Sequence, residues 1–235
     1  MIRFWKEEKN MEREIDMSEV SDGKLYGIND MVKAGCNDCK GCSACCQGMG
    51  NSIVLDPYDV YRLTTGLNCK FEDLLIDKLD LNVVEGIILP NLKMAGTNES
   101  CAFLNDEGRC SIHGIRPGIC RIFPLGRIYE NGSFQYFLQV NECAYSNRTK
   151  VKVKKWIDTP DTAKNTAFIS EWHYFLKDLS KRFPTLTEET VKQIDMYILN
   201  AFFVTLYQAN RDFYEQFAER MTAAASWLEQ ILPQD

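Results

Sequence analysis

Five thiols fall within the eleven residues Cys36-Asn37-Asp38-Cys39-Lys40-Gly41-Cys42-Ser43-Ala44-Cys45-Cys46. Two residues between cysteines let a tight turn or one helical turn bring both sulfurs to the same ion or cluster, a spacing common to zinc and iron–sulfur ligands. It occurs three times in succession, from Cys36 to Cys39, Cys39 to Cys42 and Cys42 to Cys45. If the end of the run is helical, Cys42 and Cys46 share a face as an i, i+4 pair while Cys45 points about 100° away from Cys46. The adjacent pair would then serve different metals, or different corners of one cluster. Further along, Cys101 and Cys110 flank Asn105-Asp106-Glu107-Gly108. That turn predicts a hairpin whose strands hold both thiols close enough to share a metal. Cys120 sits in a short turn or helix bracketed by Pro117 and Pro124, and Cys143 follows a second hairpin. Cys69 has no partner near it in sequence and reads as structural.

These residues need elements to position them, and the 235-residue chain, 45% hydrophobic, is long enough to bury a substantial core. Three divisions are expected: an N-terminal helical extension over 1–35, a cysteine-cluster metal-binding domain over 36–148, and a C-terminal helical region over 149–235. Asp56-Pro57 predicts a helix start running to about Gly66, and the apolar positions of 71–79 predict a second helix. Residues 86–96 read as extended, with Pro90 fitting an edge strand or a bulge. Strands over 125–129 and 134–140 are joined by Asn131-Gly132, the strongest hairpin signal in the chain. Helical periodicity then predicts segments over 161–183, 187–209 and 211–232. The fold class is therefore α+β: a cysteine-rich unit of short hairpins and helices, followed by an all-α bundle. Lys150, Lys152, Lys154 and Lys155 read as a solvated linker.

The order of these motifs carries a resemblance. Cys39-x-x-Cys42-x-x-Cys45-Cys46, then Cys101-x-Phe-Leu, Gly108-Arg109-Cys110-Ser111-Ile112, Arg116-Pro117-x-x-Cys120-Arg121 and Phe123-Pro124, resembles the YkgJ-type cysteine-cluster family, named for zinc or iron chelation. The resemblance spans about residues 36–146. It implies Cys39, Cys42, Cys45, Cys46, Cys101, Cys110, Cys120 and Cys143 as metal ligands, with Cys36 outside the pattern as a candidate extra ligand. Members commonly carry tyrosine two residues after the second block's last cysteine. Here Ile112 takes that place and His113 follows, which makes His113 a second candidate extra. The resemblance extends to flagellin lysine N-methylases, which implies protein lysine methylation with S-adenosylmethionine as the alternative function. Neither the strand, glycine-rich turn and helix of a Rossmann site nor the Cys-x3-Cys-x2-Cys of a radical S-adenosylmethionine enzyme is present in the sequence.

Eight thiolates suffice for two four-thiolate sites, as zinc ions, as iron–sulfur clusters of the 4Fe–4S kind, or as one of each. The Cys-x2-Cys-x2-Cys triplet resembles the first three ligands of a bacterial ferredoxin cluster, whose fourth can be remote, and this places iron–sulfur ahead of zinc. Arg116 and Arg121 flank Cys120, where they could offset thiolate charge, bind an anionic substrate or pair with surface carboxylates. His173 lies in a helical pattern and reads as packed. The N-terminus shows no export signal, so a cytoplasmic, reducing setting is expected, in which clustered cysteines are metal ligands more often than disulfides. A net charge of −6 argues against general affinity for nucleic acid, and no segment reads as a membrane span. A protein substrate or partner remains, either for a redox or protein-modifying enzyme or for a zinc-stabilised interaction module without catalysis.

Overall fold

The computed structural model describes residues 17–37, 42–145 and 147–232. It mixes helices with short antiparallel sheets, an α+β fold. The first turn, α1 (Met17–Val20), leads into β1 (Ser21–Tyr26) and β2 (Met31–Gly35). The helical extension expected over 1–35 is thus two strands across most of its described part, and residues 1–16 lie outside the described residues. Strand propensity was hidden here because both strands are short and their partners are more than 100 residues away. β1 pairs with residues 136–139 and β2 with residues 149–152.

The Asp56 start is as expected. In α2 (Pro57–Leu67), Asp56 Oδ1 accepts the Asp59 amide at 2.8 Å and Asp59 Oδ2 accepts the Asp56 amide at 3.3 Å, so two unsatisfied donors are closed reciprocally. The helix ends one residue past Gly66, at Leu67, and the left-handed cap is Asn68, with φ 53°. Gly66 serves a close approach instead, because a Cβ there would lie 2.6 Å from Ile115 Cδ1.

After α3 (Phe71–Asp77), Leu79 opens a strand and does not extend the helix. β3 (Leu79–Val84) and β4 (Ile87–Leu92) form a hairpin around Glu85-Gly86, both at positive φ. The hairpin expected around Asn105–Gly108 keeps its turn and almost no ladder. A single bridge joins Leu104 to Cys110, while Cys101 belongs to a separate two-residue pairing of β5 (Met94–Ala95) with β6 (Ser100–Cys101). Next comes the short α4 (Gly118–Ile122). β7 (Leu125–Glu130) and β8 (Ser133–Gln139) turn at Asn131-Gly132 as the sequence predicts, and with β1 they form a three-stranded sheet.

The lysine run is not a linker. Thr149–Lys152 is β9, paired with β2, and Val153–Ile157 is the short α5 with Val153 fully buried. Three long helices complete the chain: α6 (Thr162–Arg182), α7 (Glu188–Leu199) and α8 (Phe213–Ile231). α7 stops short of Ala209 because Asn200–Val204 widens into a π turn. Arg220 of α8 satisfies the carbonyls released there, reaching Ala201 at 2.6 Å, Thr205 at 2.8 Å and Leu206 at 2.9 Å. One continuous apolar core runs from Val32 and Leu55 through Phe103 and Leu125 to Phe168, Trp172, Phe202 and Phe217. Among the described residues no helix is long and apolar enough to cross a membrane.

Candidate metal centres

Four chain segments bring the first group of thiols together, each held by a distinct backbone contact. Ala44–Cys46 is one 3-10 turn, so the i, i+4 relation of Cys42 and Cys46 does not arise. The turn is tied to β6 through the Gln47–Ser100 bridge and the 3.0 Å bond from the Gly48 amide to the Glu99 carbonyl, which sets Cys45 and Cys46 beside Cys101. The Leu104–Cys110 bridge carries Cys110, and the Ser111 amide holds the Phe103 carbonyl at 2.8 Å. Cys120 is presented by α4, whose first amide, Gly118, donates to Asp59 Oδ1 at 2.7 Å. The carboxylate that caps α2 therefore also fixes the turn bearing Cys120. Sequence reading found Asp56 as the cap and missed this second use of Asp59, whose partner lies 59 residues away.

Cys45, Cys101, Cys110 and Cys120 each interact electrostatically with the other three. Cys101 faces Cys110 and Cys45, Cys110 faces Cys45, and Cys120 faces Asp59, Cys101, Cys45 and Cys110. Burial is the largest influence on Cys101, Cys110 and Cys120, and pushes all three thiols up. Cys45 is raised most by its hydrogen bond with Cys46, then by burial. The adjacent cysteines thus share one neighbourhood.

The second group is set by the β2–β9 ribbon. Gly35 pairs with Thr149, which places Cys36, the next residue after β2, at the same end as the stretch preceding β9. Cys143 accordingly lies within electrostatic reach of Cys36, Arg148 and Cys42. Cys36 is buried, at 3% exposure, and joins the group although the family pattern left it out. Cys39 lies outside the described residues. Cys69 has its thiol raised by burial and then by Asp73, with no cysteine among its neighbours.

The charged residues divide by role. Arg116 faces both Cys45 and Cys110, and its guanidinium bonds His113 Nε2. A guanidinium only donates, so that imidazole nitrogen acts as an acceptor toward Arg116. Arg121, 6% exposed, donates from Nη1 to the Asp158 carbonyl at 2.9 Å and from Nη2 to the Gly114 carbonyl at 3.1 Å, where Arg62 also donates at 2.7 Å. Burial, with Arg62 and Arg116 close by, lowers it to about 10. It is a structural cation and does not pair with a surface carboxylate. Asp56 and Asp59 are buried together, both raised by desolvation and held against Arg127. His173 stacks on Tyr129 at 3.6 Å between ring centroids, a packed side chain as expected.

None of the nine described cysteines is in a disulfide. Among the described residues no three His, Cys, Asp or Glu side chains are already drawn together as a coordination sphere for one ion. Thiols bind a metal as thiolates, so a cation taken up here would release protons from its ligands. The donor chemistry suits that ion: clustered thiols, half-buried to buried, with a guanidinium beside them, favour soft metals and iron–sulfur clusters over hard cations.

A family model, that of the CxxCxxCC domain described as a "putative zinc- or iron-chelating domain", matches residues 38–151. That stretch, just under half of the chain, is similar to the CxxCxxCC domain. It contains every described thiol of both groups except Cys36. Neither a curated protein nor a solved structure matches the chain. Metal binding by the cysteine cluster is thus the common ground of the family match and the thiol geometry.

Proposed function

We propose that the chain is an iron–sulfur protein with two thiolate centres. Cys45, Cys101, Cys110 and Cys120 would hold one, with Cys46 beside it. Cys36, Cys39, Cys42 and Cys143 would hold the other. What supports the reading is that the Gly35–Thr149 pairing brings Cys143 within electrostatic reach of Cys36 and Cys42, where it could serve as the remote fourth thiol of a ferredoxin-like Cys-x2-Cys-x2-Cys triplet. Cys39 enters from the sequence pattern alone. Such centres supply one-electron redox chemistry when bound.

The protein's own residues have definable parts in it. Arg116 offsets thiolate charge at Cys45 and Cys110. Asp59 orients the turn of Cys120 through the Gly118 amide and adds negative charge beside that sulfur. Arg148, anchored on the carbonyls of Gln139 and Val140, stands by Cys143. The cysteine-rich unit over 36–148 would carry the redox chemistry and the helices over 149–235 would cover it. Lysine methylation draws no support from the fold, because every paired strand among the described residues is antiparallel and a Rossmann-type crossover needs parallel ones.

The test is the visible spectrum of anaerobically purified protein, with iron, sulfide and zinc measured on the same sample. Broad visible absorption from iron–sulfur charge transfer, with iron and sulfide in equal amounts, is expected. A colourless protein with stoichiometric zinc would overturn the reading in favour of a zinc-stabilised interaction module.

A further inference from the structure

The β2–β9 ribbon buries one face and leaves the other cationic. Val32 and Ala34 are 1% and 0% exposed, and Val151 pairs with Val32 on that inner side. On the outer side Met31 pairs with Lys152, with Lys33 and Lys150 following two residues along each strand, all exposed. The pairing continues past the strands, since the Val153 amide donates to the Asp30 carbonyl at 2.9 Å and the Lys154 amide to the Ile28 carbonyl at 2.8 Å. Lys154 and Lys155 therefore extend the row. No ion pair joins any of these five lysines to another described residue. The carboxylate of Asp30, just before β2, is turned back to accept the Gly27 amide at 2.7 Å. A net charge of −6 makes this row run against the charge of the whole.

The row has two ends of different character. At one, Gly35 and Thr149 adjoin Cys36 and the stretch from Cys143. At the other, Lys154 enters the wall of a groove of about 880 Å³, which is also lined by Ile28, Thr166, Ser170, Glu171 and Tyr174. At about 3.3 Å per residue, the strand joins groove and thiol end over roughly 20 Å.

We propose that this lysine row and its groove form the docking surface for an acidic, extended segment of a protein partner. Carboxylates would lie along Lys33, Lys150, Lys152 and Lys155, and an apolar side chain would anchor in the groove beside Ile28 and Tyr174. A partner so placed sits next to Cys36 and Cys143, whichever metal the thiols take. The composition favours protein over nucleic acid. The row holds no arginine, the preferred forked phosphate ligand, and no exposed aromatic for base stacking, because half-buried Trp156 bonds the Ile122 carbonyl at 3.1 Å. Met31, 51% exposed among the lysine stems, adds apolar contact suited to a protein interface. Lysines on a strand also deter edge pairing, but Lys154 and Lys155 lie beyond the strand and need another reason.

Fluorescence anisotropy tests this with a labelled peptide of alternating glutamate and leucine, a single-stranded oligonucleotide of equal charge, and phosphatidylserine vesicles as probes. The peptide is expected to bind in a salt-sensitive manner. Lys150→Glu with Lys152→Glu should weaken it about tenfold or more, the glutamine pair less, and the remote pair Lys181→Glu with Lys192→Glu, of equal net charge, hardly at all. Equal losses in the two charge-reversed pairs, tighter binding of the oligonucleotide or the vesicles, or self-association that needs these lysines would each overturn the proposal. Because both substituted lysines are exposed, unchanged melting of the variants separates a lost contact from a lost fold.

Discussion

At Cys120 burial and the charge of Asp59 act together on one sulfur, while Cys143 sits in a shallower setting with Arg148 close by. Two unlike environments for two groups of thiols predict separable losses. Cys120→Ala and Cys143→Ala should each remove about half of the bound metal, the double variant nearly all, and Cys69→Ala none, read by metal analysis of the folded proteins. If one substitution strips all the metal, the two groups are a single centre. A different residue predicts the pH dependence. Asp195 is buried in α7, accepts the Ile88 amide at 3.2 Å, and is raised by desolvation to about 6. Its folded pKa lies above the unfolded one, so the folded state binds the proton more tightly and stability falls as pH rises from about 4 to about 6. Asp195→Asn keeps an acceptor for Ile88 and should remove that slope, a gain on the order of 1–2 kcal/mol at pH 7 after solvent screening. Thermal melts across that window would show two parallel curves below pH 4 that separate above it.

Elements place these residues, and what sequence reveals about them depends on how far away their partners are. The α2 cap, the Asn131-Gly132 turn and the three long helices rest on contacts within a few residues and could be read directly. β1, β2 and β9 could not, because each becomes a strand only through a partner more than 100 residues distant, and alternation over four to six residues is a weak signal. The ligand candidates were legible from thiol spacing, yet their division into two groups depends on the Gly35–Thr149 and Gln47–Ser100 pairings, which no local pattern announces. Asp59 joins the local and the distant. Asp59→Ala loses both the return bond to the Asp56 amide and the 2.7 Å bond from Gly118, and should destabilise the protein by about 2–3 kcal/mol. Asp59→Asn retains an acceptor for Gly118 and should cost less. Denaturant melts rank the variants, and only Asp59→Ala is expected to alter metal content along with stability, since only it frees the turn of Cys120.

Across the whole molecule, regular structure and thiols are unevenly spread. α6 and α8 are tied by packed aromatics, with Phe168 and Phe217 at 4.7 Å and Phe168 and Phe213 at 5.3 Å between ring centroids. Residues 96–118 hold two of the nine described thiols, Cys101 and Cys110, and adjoin a third, Cys120, but contain only one two-residue strand and a single 3-10 turn. Their order must come from elsewhere, and a metal that joins Cys45, Cys101, Cys110 and Cys120 closes loops of up to about 75 residues, a constraint worth several kcal/mol on loop-closure grounds. Removing the metal with a chelator should therefore lower the melting temperature and speed amide exchange first between residues 96 and 118. The amides of α6 and α8, buried against their own aromatic layer, should stay protected under the same conditions. Exchange measured peptide by peptide, before and after chelation, distinguishes this from its opposite. If the helices lose protection in step with the loops, the core that runs unbroken from Val32 to Leu228 cooperates as one unit, and the metal stabilises the entire chain.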